Sequence, residues 1–170
     1  MTFVSALHDA FSVGVQVAVD GGDLVLEAAA APPPAIVRAL VVNKRAIIAL
    51  LRPGADGWDA VDWQAFFNER AGVAQFDADL PRTAAEAAAV EECLQRWQST
   101  HLPASLSHRA CAACGSHLEP DAMIAFIAGQ GSVQLHLGCM GKWAAMRRRD
   151  ALLALRAFGV VVGAPGEHAP

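Results

Sequence analysis

The chain has 170 residues, 54% of them hydrophobic, and carries thirteen Lys and Arg against seventeen Asp and Glu for a net charge of −4. That length suits one ordinary domain or two to three small ones, and the apolar share excludes wholesale disorder. Much of that share is alanine, a helix former that buries little area, so several modest clusters are expected in preference to one large core.

Phe3, Leu7 and Phe11 recur at helical spacing and predict a short amphipathic helix that Gly14 stops. Val15 to Val19 and Leu24 to Glu27 then alternate with period two around Asp20-Gly21-Gly22-Asp23, a β-hairpin signal with a tight turn. The alternation sets Val15, Val17 and Val19 on one face, expected to lie toward the helices. Pro32-Pro33-Pro34 leads into helix, and Asn43-Lys44 divides the stretch up to Arg52 into two short helices. Pro53 to Gly57 reads as the clearest boundary in the chain.

Beyond it, Asp59 is placed to cap a helix with Trp63, Phe66 and Phe67 on one side. Thr83-Ala-Ala-Glu86 matches a capping box, and Val90, Cys93, Leu94 and Trp97 form the buried stripe of the helix that follows, which makes Cys93 an inert core thiol. Residues 101–108 read as a connector. Two strands, Ala122 to Ala128 and Val133 to His136, flank Gly129 to Ser132. A long helix is expected from Gly138 to Phe158, with Met140, Trp143, Leu152 and Leu155 toward the core, Gly159 as its cap and a frayed tail from Val160.

Cys111-x2-Cys114-Gly115 and His136-x2-Cys139 are paired at metal-ligand spacing. The first pair can grip a metal from a tight turn that Gly115 permits. The second sits where a helix begins, so both side chains can face one point, and the helix N-terminus favours the Cys139 thiolate. Three thiolates and an imidazole fill the four tetrahedral positions of a structural zinc ion and leave none for a hydrolytic water. Knuckle, hairpin and helix over residues 107–158 resemble a treble-clef zinc finger. A redox CxxC is the main competing reading, though the strand-helix-strand setting it needs is missing, and His117 and His108 are alternates for the fourth ligand.

Residues 3–52 resemble the small N-terminal docking domain of the tubulysin-synthetase type, found on bacterial nonribosomal peptide and polyketide megasynthases. The resemblance runs through Phe3 to Phe11, Gly14 before Val15-Gln16-Val17, the Asp20-Gly21-Gly22-Asp23-Leu24 turn, Pro32-Pro33-Pro34 and Asn43 to Leu51. It implies an αββαα unit, often dimeric, whose hairpin edge receives an extended peptide from a partner. The implied partner-binding residues are Val15, Gln16, Val17, Val19, Leu24, Val25 and Leu26. No condensation or ketosynthase domain follows, so the chain resembles stand-alone bacterial proteins that reuse the module.

Charge is uneven: residues 1–100 hold seven Lys and Arg against thirteen Asp and Glu, and residues 101–170 hold six against four. Lys142, Arg149 and Arg156 are spaced by seven, with Arg147 and Arg148 beside them, so the last helix could lie along phosphates. Nucleic acid is therefore the alternative partner. No phosphate loop, nucleophile elbow or HExxH is present, and no enzyme activity is expected. The first basic residue is Arg38, no apolar run spans a bilayer, and the cysteines do not form a secreted disulfide pattern, so a cytoplasmic protein without a membrane segment is expected.

The expected fold class is α+β in four stretches: a docking-like module over 1–53, a helical middle segment over 54–106, a treble-clef-like zinc module over 107–160 and a tail over 161–170. The expected role is a non-enzymatic protein–protein adaptor.

Overall fold

The computed structural model describes residues 2–101, 110–117, 123–128 and 131–160. The connector over 102–108 with His108, the strand start at Ala122, the turn at Gly129 and Gln130, and the tail beyond Val160 lie outside the described residues. Among those described are six α-helices and two separate antiparallel hairpins, an α+β chain as expected.

Helix α1 (Phe3–Ser12) starts at a reciprocal cap, in which Thr2 accepts from the Ser5 amide and Ser5 from the Thr2 amide. Its buried face is Ala6, Leu7, Ala10 and Phe11. Gly14, at φ +75°, turns the chain so that the Val15 amide donates back to the Ala10 carbonyl at 3.0 Å. Strands β1 (Gln16–Asp20) and β2 (Asp23–Glu27) pair from Gln16↔Glu27 to Asp20↔Asp23. Gly21 and Gly22, at φ +54° and +84°, form the two-residue turn, whose doubly positive φ matches the right-handed twist of the strands.

Helices α2 (Pro34–Val42) and α3 (Lys44–Leu51) meet at Asn43, whose side-chain amide donates to the Ala39 carbonyl at 2.8 Å. Lys44 reaches Asp23 at 2.7 Å and ties α3 to the hairpin turn. In α4 (Ala60–Phe76) the Asp59 carboxylate accepts from the amides of Val61 and Asp62, while the Asp62 carboxylate accepts from the Asp59 amide. The capping box expected at Thr83 does not form. Pro81, rigid and extended, starts α5 (Arg82–Thr100) two residues earlier without a side-chain cap, and Arg82 pairs with Glu86 at 2.8 Å instead.

Strands β3 (Met123–Ala128) and β4 (Gly131–His136) form the second hairpin, and a 3-10 turn (Leu137–Cys139) leads into α6 (Met140–Ala157). One apolar cluster joins Leu7, Val17, Leu40 and Ile47 to Trp63, Leu94, Trp97 and Leu155. The first three of the four sequence stretches therefore share it. Each fully buried leucine-sized side chain contributes about 1.5–3 kcal/mol.

Two expectations at the end of the chain need correction. Leu152 is 43% and Met140 36% exposed, whereas Ala151, Ala154 and Leu155 are buried. The core-facing stripe of α6 is thus shifted round the helix, because alanine lets α6 come close to its neighbours. Val160 is not part of a frayed end: it is buried, and its amide donates to the Leu155 carbonyl.

The Pro53–Gly57 stretch is fastened on several sides. Ala55 donates to the Thr100 carbonyl at 2.9 Å, and Asp56 pairs with Arg96, whose guanidinium lies 3.5 Å from the centre of the Trp58 ring. A Cβ on Gly54 would stand 2.7 Å from the His101 ring, so only glycine fits there. That ring is buried and stacked on Trp97 at 4.4 Å.

Candidate metal centre

Around Cys111 the backbone closes a knuckle. The Gly115 amide donates to the Cys111 carbonyl at 2.8 Å, the Cys111 amide to the Ser116 carbonyl at 2.9 Å, and Ala110 bridges His117. Gly115 takes φ +74°, which the tight turn requires and a side chain would strain. The Ala112 amide donates to the Gln134 carbonyl at 3.0 Å, which docks the knuckle on β4.

His136 is the last residue of β4, and Cys139 ends the 3-10 turn directly before α6. The first helical turn is therefore tighter than the expected helix from Gly138. Trp143, one turn further on, packs with Cys111, Val133 and Leu135 in a second apolar cluster.

The Sγ atoms of Cys111, Cys114 and Cys139 and a ring nitrogen of His136 all lie within 4.8 Å of one another. His136 Nδ1 is 3.5 Å from Cys114 Sγ and 3.9 Å from Cys139 Sγ. A tetrahedral zinc with ordinary Zn–S and Zn–N bonds sets an S-to-N edge of about 3.6 Å, so the donor set fits the ion with little adjustment. The four residues can hold one metal ion.

Two of the three thiols are held toward the thiolate form and the third is not. Burial opposes the Cys111 thiolate, but the backbone amides of His136, Ala113 and Cys114 outweigh it and hold the thiol at about 6. The Ser116 amide and hydroxyl lower Cys114. The Cys114 thiolate, against the opposing pull of desolvation, raises His136, while desolvation and then the Cys111 and Cys114 sulfurs push Cys139 up to about 11. The expectation that the helix start favours the Cys139 thiolate is thus not met: desolvation and the two neighbouring sulfurs oppose it, and a cation among them would be needed to favour it. Comparison of the chain with protein families, curated proteins and solved structures finds no match.

His117 is exposed and is not one of the four gathered residues. Cys93 is fully buried, and desolvation lifts its thiol to about 11, as befits a core residue.

On the hairpin, the side chains of Val15 and Val17 are buried, and Val19, Leu24 and Leu26 pack partly against the main core. Only Gln16 and Val25 of the seven expected partner-binding residues point outward, beside Ala18 and Glu27. In this register the paired groups across the two-residue turn belong to Asp20, Ala18 and Gln16 on β1, so the amides and carbonyls of Val17 and Val19 face away from β2. No other strand pairs with either edge among the described residues.

The basic residues of α6 are largely engaged. Arg147 donates to the Gln98 and His101 carbonyls and lies over the rings of Trp97 and Trp143, at 4.8 and 5.9 Å. Arg148 pairs with Glu91, Arg149 with Asp150, and Arg156 lies over the Phe11 ring at 5.0 Å. Lys142 is exposed. The role of Arg147 had no sequence signal, because its partners are main-chain carbonyls at the end of another helix.

Proposed function

We propose that this chain is a non-enzymatic protein–protein adaptor, in which the hairpin edge takes up an extended segment of a partner and a structural zinc ion on Cys111, Cys114, His136 and Cys139 staples the C-terminal part. The observation that carries the reading is the state of β1. Its inner side chains are seated in the core while the amides of Val17 and Val19 face outward, so the strand is held rigid and offers backbone groups for strand addition. Gln16 and Val25 project from the outer face and tune which segment is accepted. The same edge on a second copy would give a homodimer. Zinc here supplies a fold-holding crosslink, with every position taken by protein.

Nucleic acid is the less favoured partner, since Arg147 is committed to carbonyls and aromatic rings and Arg156 to the Phe11 carbonyl and ring, which breaks the expected phosphate-facing stripe.

Hydrogen exchange tests the adaptor reading together with a nuclease-treated pull-down. The amides of Val17 and Val19 should exchange fast in the isolated protein, slow on partner binding, and the partner should be lost with Val17→Pro, which removes an edge donor but no ladder bond. Full protection in the isolated protein, or partners that vanish with nuclease, overturns it.

A further inference from the structure

A groove of about 500 Å³ runs beside α6 and has no assigned role in the adaptor reading. Along α6 it is lined by Ala145, Arg148, Arg149, Leu152, Leu153 and Arg156, positions that repeat at helical spacing and form one continuous stripe over three turns. Val90 of α5 and Val160 close it from the other side. Its floor is apolar and its rim is cationic.

We propose that this groove is a docking site for an acidic amphipathic helix of a protein partner. The length of the stripe, roughly 16 Å at the rise of an α-helix, matches about three turns of a helix lying alongside. Leu152, 43% exposed although it is a large apolar side chain at the middle of the stripe, is the anchor that such a helix would cover. Arg148 and Arg149 stand half-exposed on the rim, Arg148 in a two-pronged pair with half-exposed Glu91 and Arg149 beside the more buried Asp150. Each half-exposed guanidinium carries more N–H donors than its one carboxylate takes up, so a partner carboxylate can bind beside the existing pair. Charge complementarity therefore selects an acidic segment, and the apolar floor selects one with leucine-like side chains on its inner face. A phosphate backbone would meet the same arginines but would have no use for the leucine. This surface is independent of the hairpin edge.

The test uses the full chain and a synthetic helical peptide of about three to four turns, with leucines at i, i+3, i+4 and i+7 and glutamates elsewhere, against a scrambled peptide of the same composition and a duplex DNA. Binding is read by anisotropy and mapped by amide chemical shifts. The peptide should bind, shift residues 145–156 and outcompete its scrambled form. Leu152→Asp and Arg149→Glu, both at exposed positions, should each weaken it about tenfold with unchanged thermal unfolding. Leu152→Asn serves as the neutral second variant should the aspartate lower stability. Peptide binding that ignores Leu152, shifts that map elsewhere, or equal binding of the scrambled peptide overturns the proposal. So does duplex DNA that binds this face more tightly and depends on Arg149 but not on Leu152.

Discussion

His101 shows how much a single side chain can hold. Its Nε2 lies 3.1 Å from the Arg52 carbonyl, and its Nδ1 lies 3.1 Å from the Trp97 carbonyl and 3.0 Å from the Thr100 hydroxyl, so a neutral ring donates to one of the two carbonyls and a protonated ring to both. Desolvation lowers its pKa, and Arg147 nearby adds to that, against the pull of the Trp97 and Arg52 carbonyls and of Asp56. The folded state thus binds the proton less readily than the unfolded chain. Stability is greatest above the unfolded value of about 6.5 and falls as pH drops below it, because the unfolded state takes up the proton first. Denaturant unfolding at pH 7.5 and 5.5 should show this loss, and His101→Gln should flatten the difference although it is less stable at both. Equal slopes for the two proteins would show that the ring does not drive the effect. No spacing or motif marked this histidine: its importance comes from Gly54 and the Arg52 carbonyl meeting it from a distant part of the chain.

At the scale of elements, what could be read in advance was what is locally encoded. The β1–β2 hairpin, the Asp59 cap, the Asn43 break and each of the Cys111–Cys114 and His136–Cys139 pairs follow from a few neighbouring residues whose chemistry leaves one sensible geometry. The facing of α6 was not legible in this way. Leucines suggested one stripe, but close approach to the rest of the core selects Ala151 and Ala154 and turns Leu152 outward. That rotation also aims Arg147 at the end of α5, where its planar fork reaches two carbonyls. Lysine keeps the charge but not the fork. Arg147→Lys should lower stability by about 1.5–3 kcal/mol, the worth of a hydrogen bond to a charged group, whereas Lys142→Ala should change it by less than about 0.5 kcal/mol. Comparable losses from both would mean that the contact between α5 and α6 is not set by Arg147.

Across the whole molecule, α6 is common to both apolar clusters. Trp143 and Met146 belong to the metal cluster, and Ala151, Ala154 and Leu155 to the main core. Metal removal should therefore loosen the molecule from one end. Structural zinc supplies about 10–16 kcal/mol in small fingers, more than the second cluster could replace. Chelation, or Cys114→Ser, should expose the amides of β4 and the start of α6 to exchange while Leu7, Trp63 and Leu94 stay protected, with one zinc released per chain by native mass spectrometry. A chain that stays folded throughout without metal would refute the structural role. The fastening at Gly54 also decides what would follow if the chain were cut there. A break at Pro53, where the sequence looks like a joint, would separate the Arg52 carbonyl from His101 and strip Trp97 from the core that Leu40 and Ile47 help to form. Residues 2–52 cut free at that point would lay bare Leu7, Val17, Leu40 and Ile47, the side chains that Trp63, Leu94, Trp97 and Leu155 now cover.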